Sequence, residues 1–166
     1  MLIALSQIIQ RFHRDNDGAA FVEVALAVPF VLLLSAGIFE FSNILNTRLL
    51  LEAGVNDAAR YLARCNDSNW ANCVSYGKNL AVNGTITGGT PRVSGWTTDQ
   101  VTVTKPTSLL AVDATTGTEL YLSSTATVDV VQVSTSLPYT GIGLWGYLGL
   151  GTFSIGASHQ ERVLGW

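Results

Sequence analysis

The chain has 166 residues, of which 48% are apolar and only 13% charged, with a net charge of −3. That length suits one modest domain, and a soluble domain is typically about 25% charged, so the composition leans toward a membrane anchor with a small soluble part. Nine Lys and Arg residues, with no basic stripe or patch among them, argue against a nucleic-acid partner.

The first element is a polar leader, residues 1 to 18, in which Arg11, His13 and Arg14 precede Asp15-Asn16-Asp17-Gly18. Asp15, Asn16 or Asp17 can cap a helix that starts near Gly18. A calcium loop fails in this stretch. Placing Asp15 and Asp17 at the third and fifth loop positions puts His13 first and Val24 last, where carboxylates are needed.

An uncharged run, Val24 to Phe39, follows. Extended back to Ala19 it gives roughly 21 residues, about 31 Å of helix, which matches a bilayer core. The extension keeps one carboxylate, Glu23, and an acid at a membrane centre costs at least about 2.5 kcal/mol. Two readings of Glu23 stand at this point: an acid resting at headgroup level beside Asp17, or one paired with a cation inside the apolar layer. The basic residues before the span put the N-terminus in the cytoplasm and the rest of the chain on the far side. A cleaved secretory signal fits poorly, because a site at Ser35-Ala36-Gly37 would interrupt a helical pattern that runs straight through it.

That pattern predicts one long helix over about 19 to 64, membrane-spanning over 19–41 and amphipathic over 42–64. Ile38, Phe41 and Leu45 continue one face. Leu51, Val55, Ala58, Ala59 and Leu62 fall at i, i+4, i+7, i+8 and i+11, while Arg48, Glu52, Asp57, Arg60 and Arg64 supply the polar side. Pro29 removes one backbone hydrogen bond and is a place for a bend. Next come the two cysteines, Cys65 and Cys73, in "CNDSNWANC". No further Cys or His lies nearby to complete a metal site, so a disulfide closing this loop is the plainer reading. It requires an oxidising compartment, in agreement with a far-side location.

The far-side domain, 65–166, reads as a short helix in "VSYGKNLAVNG", stopped at Asn83-Gly84, and then as strands. "QVTVTK" alternates around Val101 and Val103. "TELYLSSTATVDVVQVSTS" is long, with Leu120, Leu122, Ala126, Val128 and Val130 on one face, and Pro138 ends it. "TFSIGASHQERVL" puts Phe153, Ile155 and Ala157 on one face. Helices followed by strands predict an α+β fold, an antiparallel sheet of three to five strands on the amphipathic half of the long helix. Between the last two strands, "LPYTGIGLWGYLGLGTF" carries Leu144, Trp145, Tyr147, Leu148 and Leu150. It is either a contact surface for a partner or the bilayer, or a flap over the domain's own core.

"GAAFVEVALAVPFVLLLSAGIFEFSNIL" followed by "LLLEAGVNDAARYLAR" resembles the TadE-like minor pilins, or pseudopilins, of tight-adherence (Tad, Flp) type IV pili. The likeness returns in "VSTSLPY" and "FSIGASHQER". It implies a pilin-like plan and a prepilin peptidase that cuts after Gly18, making Ala19 the mature N-terminus. It also implies that Glu23 is the carboxylate pilins keep five residues beyond the scissile glycine, where it would set register during assembly by pairing with a freed amine. Flp-type major pilins often carry an aromatic residue after that glutamate. Val24 stands here instead and favours a minor subunit, as does the large C-terminal domain. The implied partners are the peptidase, an inner-membrane assembly platform, the major pilin, sister minor pilins and the lipid bilayer.

No catalytic residue, metal site or cofactor is expected. Removing the leader would leave His159 as the last histidine, and Ser154 and Ser158 point to the opposite face of a strand from it. "GTFSIG" misses the G-x-S-x-G elbow by one residue. The expected function is support of Tad-type pilus assembly and surface adhesion, from the inner membrane or within the pilus. The alternatives are a permanently anchored periplasmic binding or adhesion protein and a pseudopilin of a related secretion system.

Overall fold

Leu, Ala and Val dominate residues 19–62, and Pro29 is the single proline among them. Such a stretch has every local reason to be helical. The computed structural model describes residues 16–123, 125–141, 143–147, 149 and 151–164, without the side chains of residues 16, 17, 144 and 145. Helix α1 runs over Asn16–Leu62, 47 residues continuing through Pro29. Helix α2 follows at Trp70–Asn83, strand β1 at Val101–Leu110, β2 at Thr127–Pro138, the short helix α3 at Leu144–Tyr147 and β3 at Ser154–Arg162. The architecture is α+β, with one antiparallel sheet in the order β1-β2-β3.

Two compact units divide the chain, Met1–Ser42 and Asn43–Trp166. The described part of the first is α1 alone. The second contains the rest of α1, α2 and the sheet, and here the predicted periodicity is realised. Leu51, Val55, Ala58, Ala59 and Leu62 are all buried, together with Val101, Val131, Val133 and Ile155 from the sheet. Ile38, Phe41 and Leu45 do not join them and stay exposed. Their spacing is helical, but no described element covers that face.

α1 and α2 run antiparallel and approach closely at two glycines. A Cβ on Gly54 would lie 2.5 Å from the Ala81 carbonyl oxygen, and one on Gly77 would lie 3.0 Å from the Leu62 side chain. At Gly54 the facing backbone is so near that only glycine fits, while a Cβ on Gly77 would need Leu62 to give way by a few tenths of an ångström. α2 starts at Trp70, earlier than the expected start after Cys73, which places Cys73 in its first turns. It stops as predicted at Gly84, whose φ of 73° lets its N–H reach back to the Leu80 carbonyl.

The strands depart from the sequence pattern in instructive ways. β1 extends past Lys105 and Pro106 because a bulge between Thr104 and Thr107 absorbs the proline without breaking the pairing to β2. β2 begins only at Thr127. The face expected from Leu120, Leu122, Ala126, Val128 and Val130 is not a core face: Leu122 is 94% exposed, and the buried set is Val131, Val133, Thr135 and Leu137. Val128 is buried on the opposite side of the strand from that set. Residues 111–123 instead make turns, held by backbone bonds of Ala111 to Leu120 and Tyr121. Ile155 of β3 is buried, and Ala157 and Phe153, the residue just before the strand, pack against the core, as their alternation predicts.

Candidate assembly surface

Apolar side chains crowd α1 on all sides between Phe21 and Phe41, and the large ones are exposed. Phe21 is 78% exposed, Phe30 70% and Leu34 70%. A helix apolar all round belongs in lipid or among other helices, and this one is long and apolar enough to cross a membrane. More than half of the exposed large apolar side chains among the described residues lie on it.

Gly18 and Ala19 lie inside α1, two to three residues after its first residue. Nothing stands within 4 Å of where a Gly18 Cβ would be, so no packing requires glycine there. Glu23 is exposed on the same helix, four residues after Ala19, which is one turn. A second carboxylate, Glu40, differs sharply, being buried and engaged in a polar contact. Arg11, His13, Arg14 and Asp15 lie outside the described residues, as do Leu148 and Leu150 and the side chains of Asn16, Asp17, Leu144 and Trp145. Of the apolar segment before β3, Tyr147 is exposed.

The second unit is tied together by contacts far apart in sequence. Cys65 and Cys73 form the disulfide, with Cα atoms 6.3 Å apart, across the turn that joins α1 to α2. It extends the same antiparallel zipper as the Gly54–Ala81 and Leu62–Gly77 contacts. Cross-linking cysteines eight positions apart contributes about 2.5 kcal/mol through loop-closure entropy. The Cys65→Ser/Cys73→Ser double variant should therefore lose about that much in urea unfolding of the detergent-solubilised chain. A midpoint unchanged from wild type would mean the turn is already ordered without the bridge.

Several residues of this scaffold carried no sequence signal. Trp96 is fully buried, with its indole N–H donating to Thr135 Oγ1 at 2.9 Å. Arg92 Nη2 reaches Asp57 Oδ2 of α1 at 2.6 Å and covers Gly84 at the end of α2. Asn43 Nδ2 donates to the Tyr139 hydroxyl at 3.0 Å, and the Tyr139 ring packs 5.1 Å from that of Phe153. Lys105, in the β1 bulge, lies 4.1 Å over the Trp70 ring and pairs with Asp67 at 2.6 Å and Asp129 at 3.4 Å. The bulge turns that ammonium toward the disulfide-bridged turn.

The Ser108 hydroxyl, 2.6 Å away, donates to Asp129 and holds its carboxyl below the usual carboxylate range, with Lys105 adding to the effect against partial desolvation. A folded-state value depressed below the unfolded one of about 3.9 means stability that is present above that pH and is lost as pH falls through the folded value. Urea midpoints should therefore drop below about pH 4, and Ser108→Ala should make that drop shallower. An acid limb of identical slope in the variant would show that this bond does not carry the effect.

Comparison with known proteins adds one positive finding. A family model described as "TadE-like protein" matches residues 18–60, the extent of α1 to within two residues at each end, leaving α2 and the sheet outside the match. No curated protein and no solved structure matches the chain.

Proposed function

We propose that this TadE-like protein is a minor pilin, or pseudopilin, that supports assembly of a Tad-type pilus used in surface adhesion. The observation that carries the reading is the exposed acid near the start of the apolar helix, Glu23, placed one turn after the Gly18–Ala19 bond within the TadE-like match. In this scheme the precursor sits in the inner membrane with residues 1–18 in the cytoplasm and the sheet unit in the periplasm, where Cys65 and Cys73 can oxidise. A prepilin peptidase cuts after Gly18. Because that bond is helical in the precursor, the enzyme must first unwind the end of α1, and glycine, the weakest helix former after proline, makes this opening cheap.

Cleavage creates an amine on Ala19. The uncovered face of α1 then exchanges lipid for neighbouring helices of the major pilin and sister minor pilins at the assembly platform. Lipid and leucine are about equally apolar, so side-chain packing and polar pairs, rather than hydrophobicity, decide that exchange. The function is structural, with no reaction catalysed.

The decisive measurement is the N-terminal sequence and intact mass of the protein recovered from membranes and from sheared surface material. The expected N-terminus is Ala19. A chain that still begins at Met1 in both fractions would overturn the reading and favour a permanently anchored adhesion or binding protein.

A further inference from the structure

The two edges of the sheet are built differently. β1 is blunted by its bulge and by Pro106, which has no N–H to offer. β3 has neither device and pairs with β2 in unbroken register from Ser154 to Arg162. Two flanking bonds, Tyr139 N–H to Phe153 O and Val163 N–H to Asp129 O, fix the phase of that ladder. Odd-numbered residues of β3 exchange bonds with β2, so the N–H and C=O groups of Ser154, Gly156, Ser158, Gln160 and Arg162 point away from the sheet. All five residues are exposed, and among the described residues nothing bonds to those backbone groups.

We infer that this edge is an interface, occupied by β3 of a second copy in antiparallel orientation, which joins two sheets of three strands into one of six. The polar order of the strand selects that occupant. Glu161 and Arg162 are opposite in charge, and the His159 ring, which can donate an N–H to a carboxylate, lies 3.1 Å from Glu161 in the single chain. Charges commonly protect an edge strand by repelling its own copies. Here they do not, because antiparallel pairing centred on Gln160 sets His159 of each copy across from Glu161 of the other, and Arg162 across from Ser158. An imidazole N–H facing a carboxylate across strands is a favourable hydrogen-bonded pair, and like charges facing each other are unfavourable. Parallel pairing would align Glu161 with its own copy. The arrangement has two-fold symmetry and closes on itself, as an isologous dimer contact must. It goes beyond the pilin reading and does not depend on it.

The register makes the test specific. In the full chain in detergent, Gln160→Cys should give a covalent dimer on mild oxidation, since paired residues of a bonded antiparallel ladder sit about 5.5 Å apart, within disulfide reach. Ser154→Cys should not. Light scattering should find two wild-type chains per particle and one for Ser158→Pro, which removes an outward N–H and spares the bonds to β2. Circular dichroism of that variant should match wild type. If it does not fold, the cysteine pair still decides the matter. A monomeric wild type, a Ser158→Pro dimer, or equal cross-linking at positions 154 and 160 would each overturn the inference, the second by placing the contact on the apolar helix.

Discussion

Trp96→Ala will destabilise the sheet unit by about 3–5 kcal/mol, the range for removing a buried aromatic side chain. No larger side chain is fully buried. The indole fills the space beside Gly54, where a Cβ would come within 2.6 Å of the ring, so α1 is shaped around it. Its N–H bonds Thr135 Oγ1, and the Thr135 hydroxyl in turn donates to the Gln100 carbonyl at 2.9 Å. One side chain thus connects α1, β2 and the turn that starts β1. Truncation leaves a cavity among elements already pinned by a disulfide and by close helix contacts, and these cannot easily collapse to fill it. Trp96→Phe keeps most of the ring and gives up the N–H, so its loss should be nearer 1–2 kcal/mol. Domains of this size are stable by roughly 5–15 kcal/mol, which makes the alanine variant severe. Urea unfolding of the two variants side by side checks it. Equal costs would mean that the hydrogen bond rather than the ring carries the effect.

The position of Trp96 also shows what the sequence could and could not reveal. α1 was readable because Leu51, Val55, Ala58, Ala59 and Leu62 repeat at helical spacing and all meet the core. The stop at Gly84 was readable because a left-handed cap has a local signature. Trp96, by contrast, sits in "GGTPRVSGWTTDQ", a turn-rich stretch with no period of two or 3.6. Its burial is decided by Gly54, more than forty residues earlier, and by Thr135, 39 residues later. The start of α2 has no local signal, because Trp70 lies in what reads as an Asn-rich loop. The alternation points to the wrong face of β2, because Leu120 and Leu122 continue the phase of Val128 and Val130 by chance, while turns separate them in space. Local chemistry marks where elements begin and repeat. Which of two apolar phases faces the core is settled by partners distant along the chain.

The same limit applies to the candidate site. Glu23 draws the eye because an acid in an apolar helix is costly enough to demand a reason, whereas Gly18 and Ala19 stand out only through the resemblance of their stretch to pilin precursors, and their roles belong to the proposal. Cys65 and Cys73 were legible because they are the two cysteines of the chain. The open edge of β3 was not, since it exists only once strand order is known.

Glu23→Ala should leave processing at Gly18 intact and reduce incorporation into pili at least tenfold. In the pilin scheme the cut frees an ammonium on Ala19, one turn before the Glu23 carboxylate. In the low-dielectric layer between packed helices, each group lowers the cost of burying the other, within one subunit or between neighbours. Removing one partner from a buried pair leaves the other stranded, at about 3–5 kcal/mol. A factor of ten corresponds to about 1.4 kcal/mol, so a tenfold loss needs only part of that penalty to survive in the filament. Glu23→Gln separates charge from shape. It keeps the length and a polar head, and should assemble nearly as poorly as alanine if neutralising the amine is what matters. If Glu23→Gln assembles like wild type while alanine fails, the role is hydrogen bonding and not charge. If both variants enter pili normally, Glu23 is an interfacial acid at headgroup level, and the register of α1 against its neighbours must come from packing alone. Immunodetection of the subunit in sheared pili, normalised to the processed form in membranes, distinguishes the three outcomes.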